Sequence, residues 1–259
     1  MGARLSPLSD VLREAYAIRA PRLAPLGGGY QNELWRAGEC LVVRVEAASP
    51  ESVAWEHELL AFLAPRITEV VEPVHRTSGS TFVELGGRVI SVWPYVDGSP
   101  ARRRHEPHAL GAVKLLGRVH RATAGWDGGQ RPGARPVDGQ GARGPIHGDF
   151  YRGNVLIRRG RIVGLVDWEE SCVDLFAYDL ANAVWEFCKD KRRHDFDPGL
   201  ARAMVDAYEG PAETGALLEL IRVRRRREID DSRRREAAGE PVDLVYRRHN
   251  ERALAKLGG

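Results

Sequence analysis

The chain reads as an α+β protein: a small antiparallel sheet with one packed helix, followed by a mainly helical second half. Three observations predict this. Short β-type runs broken by glycine turns flank a single helical stretch between Leu26 and Val92. Beyond Gly98 the apolar residues recur at helical spacing. One strand-turn-strand unit, Ile146 to Glu170, interrupts that helical region. With 259 residues, 43% of them hydrophobic, the chain can bury one large core or two lobes with a cleft between them.

A short helix is expected over Pro7 to Ile18, then a strand pair, Leu26 to Trp35 and Cys40 to Val45, turning at Gly38. A helix from about Glu51 to Ala64 follows, with Trp55, Leu59, Phe62 and Leu63 on one face. Val70 to His75, Ser80 to Leu85 and Arg88 to Val92 read as three further strands. Val92 to Gly98 reads as a connector, because Pro94 interrupts a ladder and Asp97-Gly98 ends the segment. Leu110, Val113, Leu116 and Val119 mark a buried helical stripe, and Gly125 to Gly144, rich in Gly, Pro and Arg, reads as a surface loop. Leu180, Val184, Phe187 and Cys188 mark the next helix, and Leu200 to Tyr208 another. The charge run Arg222 to Glu236 places Arg224–Glu228, Arg226–Asp230 and Arg227–Asp231 at i,i+4, as on a solvated helix. Tyr246, Asn250, Ala253, Leu254 and Leu257 share one side of a last helix, so the tail is expected to pack.

Composition narrows the function classes. A net charge of +3 does not call for nucleic acid, and the arginine run is interleaved with acids and lacks an aromatic platform for bases. No apolar run approaches the ~20 residues of a membrane span. The start, MGARLSPLSDVLREAY, has no apolar signal core, so a cytoplasmic protein is expected, as monomer or homodimer. Three cysteines without metal-ligand spacing, Cys40, Cys172 and Cys188, are expected as buried thiols.

The chemistry lies in IHGDFYRGNVLIRRGRIVGLVDWEE, residues 146–170. If Val155 to Ile157 and Ile162 to Val166 pair across the Gly160 turn, Asn154 and Asp167 fall at the same end of a hairpin. An amide oxygen and a carboxylate there can share Mg2+, a hard cation that keeps substrate phosphates in its shell. Asp149, on the loop leading in, can take a proton from a substrate hydroxyl or orient it. Phosphoryl transfer asks for little beyond positioning and charge neutralisation. His147 suits a hydrogen bond to the loop backbone better than the role of base. Taken singly these residues would cap turns or end a strand; their spacing together points to catalysis.

The stretch HGDFYRGNVL followed by VDWE resembles the aminoglycoside phosphotransferase and choline kinase superfamily, small-molecule kinases with the two-lobed protein-kinase fold. The resemblance implies a bilobal molecule: a nucleotide-binding lobe over 1–92, a hinge over 93–98 and a helical lobe over 99–259. It implies ATP and Mg2+ as cofactors, Asp149 as base, and Asn154 and Asp167 as metal ligands. Asp179, in YDLA, resembles the family's buried Asp that braces the catalytic loop. Gly28, Gly29 and Asn32 would cover the nucleotide. Arg44, in VVRV, would take the basic strand position, and Glu56 or Glu58 would pair with it, Glu56 preferred. Trp93 or Tyr95 would line the adenine pocket.

The acceptor is less legible. Glu169, Glu170, Glu186 and Asp190 are candidate contacts for an amino-bearing hydroxyl compound such as an amino alcohol or an aminoglycoside-like antibiotic. Arg102 to Arg104 weigh against a polycation. The stretch DLFAYDLANAVWEFC looks closer to the homoserine-kinase-like branch, which implies a metabolic enzyme as the alternative. A catalytically inactive binding module is disfavoured, since base and metal ligands are all present. Lack of an evident activation segment after Asp167 disfavours a protein kinase.

Overall fold

The computed structural model of the protein describes residues 2–19, 22–27, 32–190 and 195–258. Helix α1 (Gly2–Tyr16) is followed by β1 (Leu23–Leu26), β2 (Glu33–Ala37), β3 (Leu41–Glu46), α2 (Pro50–Leu63), β4 (Phe82–Leu85) and β5 (Arg88–Pro94). The strands form one antiparallel sheet in the order β1-β2-β3-β5-β4. Period-two alternation divides β3 between the two faces of the sheet. Val43 and Val45, with Ile90 and Val92 of β5, pack under Leu8, Leu12 and Tyr16 of α1. Arg44 and Glu46 point the other way and are buried against α2.

Helix α2 starts where Ser49 caps Ser52 N at 3.3 Å and Pro50 occupies the first turn. Its apolar side chains Trp55, Leu59, Leu60 and Leu63 join the large core of the second half. The helix therefore serves both halves, offering a carboxylate to the sheet and an apolar stripe to the helices.

The second half contains β6 (Ser99–Pro100), α3 (Glu106–Thr123), β7 (Arg143–Ile146), β8 (Val155–Arg158), β9 (Arg161–Leu165), β10 (Cys172–Leu175), α4 (Phe176–Cys188), α5 (Pro198–Ala207), α6 (Leu217–Ala237) and α7 (Leu244–Lys256). Strands β6, β8 and β9 make one small sheet, and β7 pairs with β10. Every residue of α4 is buried, as expected of a helix apolar on nearly all sides. Among the described residues no helix is long and apolar enough to cross a membrane.

The α+β, two-part reading holds, with corrections. Strand β1 ends at Leu26 and β2 starts at Glu33, where one strand from Leu26 to Trp35 was expected. Val70 to His75 is no strand: Val70 makes a single parallel bridge to Leu165 of the other half, and Pro73 has no N–H for a ladder. Strand β5 runs on through Trp93 and Pro94, with Pro94 opposite Leu41. Proline is tolerated there because it ends the strand. The cysteines differ in setting: Cys188 is buried, Cys172 half-buried, and Cys40 exposed in the β2–β3 turn.

The largest correction concerns the arginine run. Of the expected pairs, Arg224–Glu228 forms at 3.0 Å, but Arg226 pairs with Glu219 and Arg227 donates to the carbonyls of Arg135 and Pro136. One face of α6 is inside the protein. Arg225 is fully buried between α4, α6 and α7, bonded to Glu228, Asn182, Tyr246 and Asn250. Tyr246 and Asn250 of α7 also donate to Glu228, both at 2.9 Å. A solvated surface was expected because charge alone does not reveal which carboxylates another helix will bring.

The loop before β7 also reaches inward. Arg131 is buried, and its guanidinium bonds Glu56 of α2 at 3.0 Å, Ser52 Oγ at 2.8 Å and the carbonyls of Trp168 and Ser171. It joins the first half to the segment after β9.

Replacing Arg225 with Ala empties a fully buried space between α4, α6 and α7 and leaves the Asn182 and Asn250 amide oxygens without their donor, and is expected to lower unfolding free energy by about 3–5 kcal/mol in urea denaturation. Replacing Arg131 with Ala should cost less, about 1–3 kcal/mol, because Glu56 keeps Arg44 as a partner; equal losses for the two variants would contradict this ranking.

Candidate active site

The hairpin forms as the spacing suggests: Val155 stands opposite Leu165, and Val166 N donates to Asn154 O at 3.0 Å. Arg159 and Gly160 take positive φ in its turn. Asn154 and Asp167 consequently flank the same end. Asn154 Nδ2 donates to Asp149 O at 3.0 Å and lies 3.4 Å from Asp149 Oδ2, which leaves Asn154 Oδ1 without a hydrogen bond among the described residues. The Asp167 carboxylate likewise has no hydrogen bond or ion pair there. Its backbone is left-handed at φ 68°, a conformation costing a non-glycine residue about 1 kcal/mol or more.

Asp149 is recessed but reachable, with 36% of its side chain exposed. Burial pushes its carboxyl up to about 7; the Arg224 charge opposes that, and Glu186, Asp167 and Glu170 add to it. Burial also raises Asp167, against the pull of Arg44. Glu169 is pushed up to about 7 by burial and by Asp167. Three acids held above their usual range around one cleft leave a site short of positive charge. Among the described residues no three His, Cys, Asp or Glu side chains form a metal cage. Asn154 and Asp167 offer instead an amide oxygen and a carboxylate, hard donors that suit a cation bringing most of its own shell.

The loop ahead of Asp149 is held from behind. Asp179, on the first turn of α4, accepts His147 N at 2.8 Å, Gly148 N at 3.2 Å and His120 Nε2 at 3.1 Å. Burial alone would raise its carboxyl; the His120 hydrogen bond and the neighbouring imidazoles and backbone N–H groups outweigh it and hold the carboxyl low. His120 in turn bonds Tyr208 at 2.6 Å. His147 Nε2 donates to Val166 O at 3.1 Å, and its Nδ1 accepts Asp149 N at 3.3 Å. That pattern requires the neutral ring, and burial lowers its pKa accordingly. Gly148 has φ 82°, and a Cβ there would lie 2.1 Å from Glu170 O, so only glycine fits. Arg224 of α6 closes the loop from the front, donating to Gly148 O at 2.6 Å and standing 3.5 Å from Asp149 Oδ1.

Across the cleft, Arg44 bonds Glu56 at 2.8 Å and Glu46 at 2.9 Å, while Glu58 is exposed. Trp93 lies under the Arg44 guanidinium at 4.8 Å and donates to Ser91 Oγ at 2.8 Å. Tyr95 stacks with Arg36. Asn32, Arg44, Glu56, Trp93 and Tyr95 line the same cleft, of about 1510 Å3, as Asp149, Asn154 and Asp167. Gly28 and Gly29 lie outside the described residues.

The acid candidates separate. Glu169 accepts a hydrogen bond from Asn32, on the side of the sheet. Glu170 is exposed. Glu186 is engaged by Lys189 and, at 3.5 Å, by Arg225. Asp190 pairs with Arg104 at 2.9 Å. The contacts that bring Arg131, Arg224, His120 and Tyr208 to the site carry no local signal in the sequence: these partners lie 37 to 88 residues away in other elements, and no spacing rule reaches that far.

The chain matches the phosphotransferase enzyme family over residues 22–141 and 130–220. It is 26% identical over 194 residues to a homoserine kinase of Gluconobacter oxydans, a match covering 60% of each chain, so it spans about three fifths of that relative. A homoserine kinase of Caulobacter is 26% identical over 223 residues, with 70% of this chain and 69% of that protein covered. Among solved structures, amicoumacin kinase hAmiN in complex with AMP-PNP and Ca2+ superposes with TM-score 0.74 at 12% identity, covering 99% of this chain and 94% of that one. A choline/ethanolamine kinase family protein from Mesorhizobium loti gives 0.68 at 16% identity, covering 98% and 93%. These superpositions share the bilobal kinase-like fold. The family match spans well over half of the sequence, and the chain belongs to the phosphotransferase enzyme family.

Proposed function

We propose that the protein transfers the γ-phosphoryl group of ATP to a hydroxyl of a small, amino-bearing molecule. The observation that carries this reading is the hairpin end, where Asp149, Asn154 and Asp167 converge and the Asn154 Oδ1 and Asp167 carboxylate oxygens make no hydrogen bond among the described residues. Residues 1–92 form the nucleotide lobe, 93–98 the hinge and 99–259 the acceptor lobe. Mg2+ between Asn154 and Asp167 would neutralise charge on the transferring phosphates.

The side chains divide the rest of the work. Arg44, held by Glu46 and Glu56, presents a fixed guanidinium to the phosphates. Trp93 and Tyr95 border the base, and Asn32 covers it. Asp149 accepts the proton of the acceptor hydroxyl as that oxygen attacks phosphorus. His147 and Asp179 keep the loop in register with the hairpin. Homoserine-kinase-like metabolism is the second reading, favoured by the relatives of that name. Glu170, Glu186 and Asp190 remain the acids nearest the acceptor side, and Glu169 stands toward the nucleotide side.

Replacing Asp149 with Asn is expected to reduce turnover by roughly 10²–10⁴-fold while nucleotide affinity stays nearly intact; unchanged turnover would remove its role as base. Replacing Asp167 with Asn should instead weaken nucleotide binding only when Mg2+ is present. Calorimetry with and without Mg2+ reads that difference, and equal weakening in both conditions would count against a metal ligand.

A further inference from the structure

One cation in the cleft has no task in the phosphoryl-transfer cluster. Arg103 follows β6 on a turn fastened on two sides. Ala101 N donates to the carbonyls of Arg152 and Val155, at 3.0 and 2.9 Å, and Arg104 N to Phe187 O at 3.1 Å. The turn is thereby wedged between the loop bearing Asp149 and the last turn of α4. Arg103 lines the cleft together with Arg152 and Asp149.

Its neighbours are engaged and it is not. Arg104 holds Asp190 at 2.9 Å and Asp197 at 3.6 Å. Glu186 is engaged by Lys189 and Arg225. Arg152 spends one N–H on Ala101 O at 3.5 Å. The Arg103 guanidinium, half-buried, makes no hydrogen bond or ion pair among the described residues, and its Nε is shielded from solvent with no partner. Burial and the charge of Arg152 lower its pKa against the pull of Glu186 and Asp190, two acids already paired with other cations. An unmatched guanidinium beside a second arginine is destabilising unless something anionic reaches it.

We propose that Arg103, with Arg152 beside it, is a carboxylate-binding subsite for the acceptor, so that the molecule phosphorylated is a small hydroxy amino acid. The proposal rests on the phosphotransferase reading and narrows its acceptor. Asp149 and Arg152 are three residues apart on one loop, at most about 10 Å along the chain. A molecule with hydroxyl and carboxylate a few bonds apart spans that gap. The planar guanidinium fork matches a carboxylate with two parallel hydrogen bonds. A polycationic sugar would meet two like charges instead.

The test uses the full chain with ATP and Mg2+, following ADP release and phosphorylated product by mass. Acceptors are offered as matched pairs: L-homoserine against 3-aminopropanol, and L-serine against ethanolamine, with kanamycin as the polycation. The expected result is phosphorylation of at least one amino acid, with kcat/KM at least tenfold above its carboxylate-free match. Arg103→Gln should abolish that preference, mainly through a tenfold or larger rise in acceptor KM. The KM for ATP and the melting temperature should not fall, since this guanidinium has no protein partner to lose; Arg103→Lys should recover part of the preference. Transfer to amino alcohols or kanamycin but to neither amino acid would overturn the subsite and leave the phosphotransferase reading standing. A preference that survives in Arg103→Gln would overturn it too. Transfer to no compound of any class would count against both.

Discussion

Everything at the centre of this molecule hangs on a carboxylate that never meets solvent. Asp179 receives the backbone N–H groups of His147 and Gly148 and the imidazole of His120, and so fixes the segment from which Asp149 projects. A buried carboxylate is tolerated only when its lone pairs are filled, and here α3, α4 and the β7–β8 loop each contribute to filling or holding it. The position of Asp149 is therefore set by the packing of two helices as much as by its own loop. Gly148 completes the constraint, since its backbone passes too near Glu170 to carry a side chain.

A second buried carboxylate organises the opposite wall. Glu56 is shared by Arg44 from the sheet and Arg131 from the loop before β7, and Arg131 also reaches the carbonyls just beyond Asp167. One acid thus couples the strand arginine to the end of the β8–β9 hairpin. Such a network sets geometry more than it adds stability, because desolvation of the charges offsets most of their attraction. Its consequence is that the walls of the cleft share a common anchor in α2.

The distribution of charge in the remaining cleft follows from what each side chain has already been given. Glu186, Asp190 and Glu228 look like an acidic surface when read one at a time, yet each is taken up by Lys189, Arg104, Arg224 or Arg225. What the pairing leaves over among the described residues is the Arg103 guanidinium, which makes no hydrogen bond or ion pair there. Counting charges along the chain suggests an acidic surface here; pairing them in space leaves a cation over at one position.

By itself the sequence determined the class of fold, the existence and type of most helices, and the hairpin that brings Asn154 level with Asp167. Those features rest on local rules: periodicity, turn residues, and the geometry of short strands joined by glycine. The reading of Val70 to His75 as a strand failed because apolar alternation cannot tell whether a sheet edge is there to receive it. Tertiary structure alone decided the partners of Arg131, Arg224 and Arg225 and the seclusion of one face of α6. An arginine in a polar run is compatible with solvent or with burial, and the difference is whether distant elements bring carboxylates and carbonyls to meet it. That choice is made by packing, which no window of sequence contains.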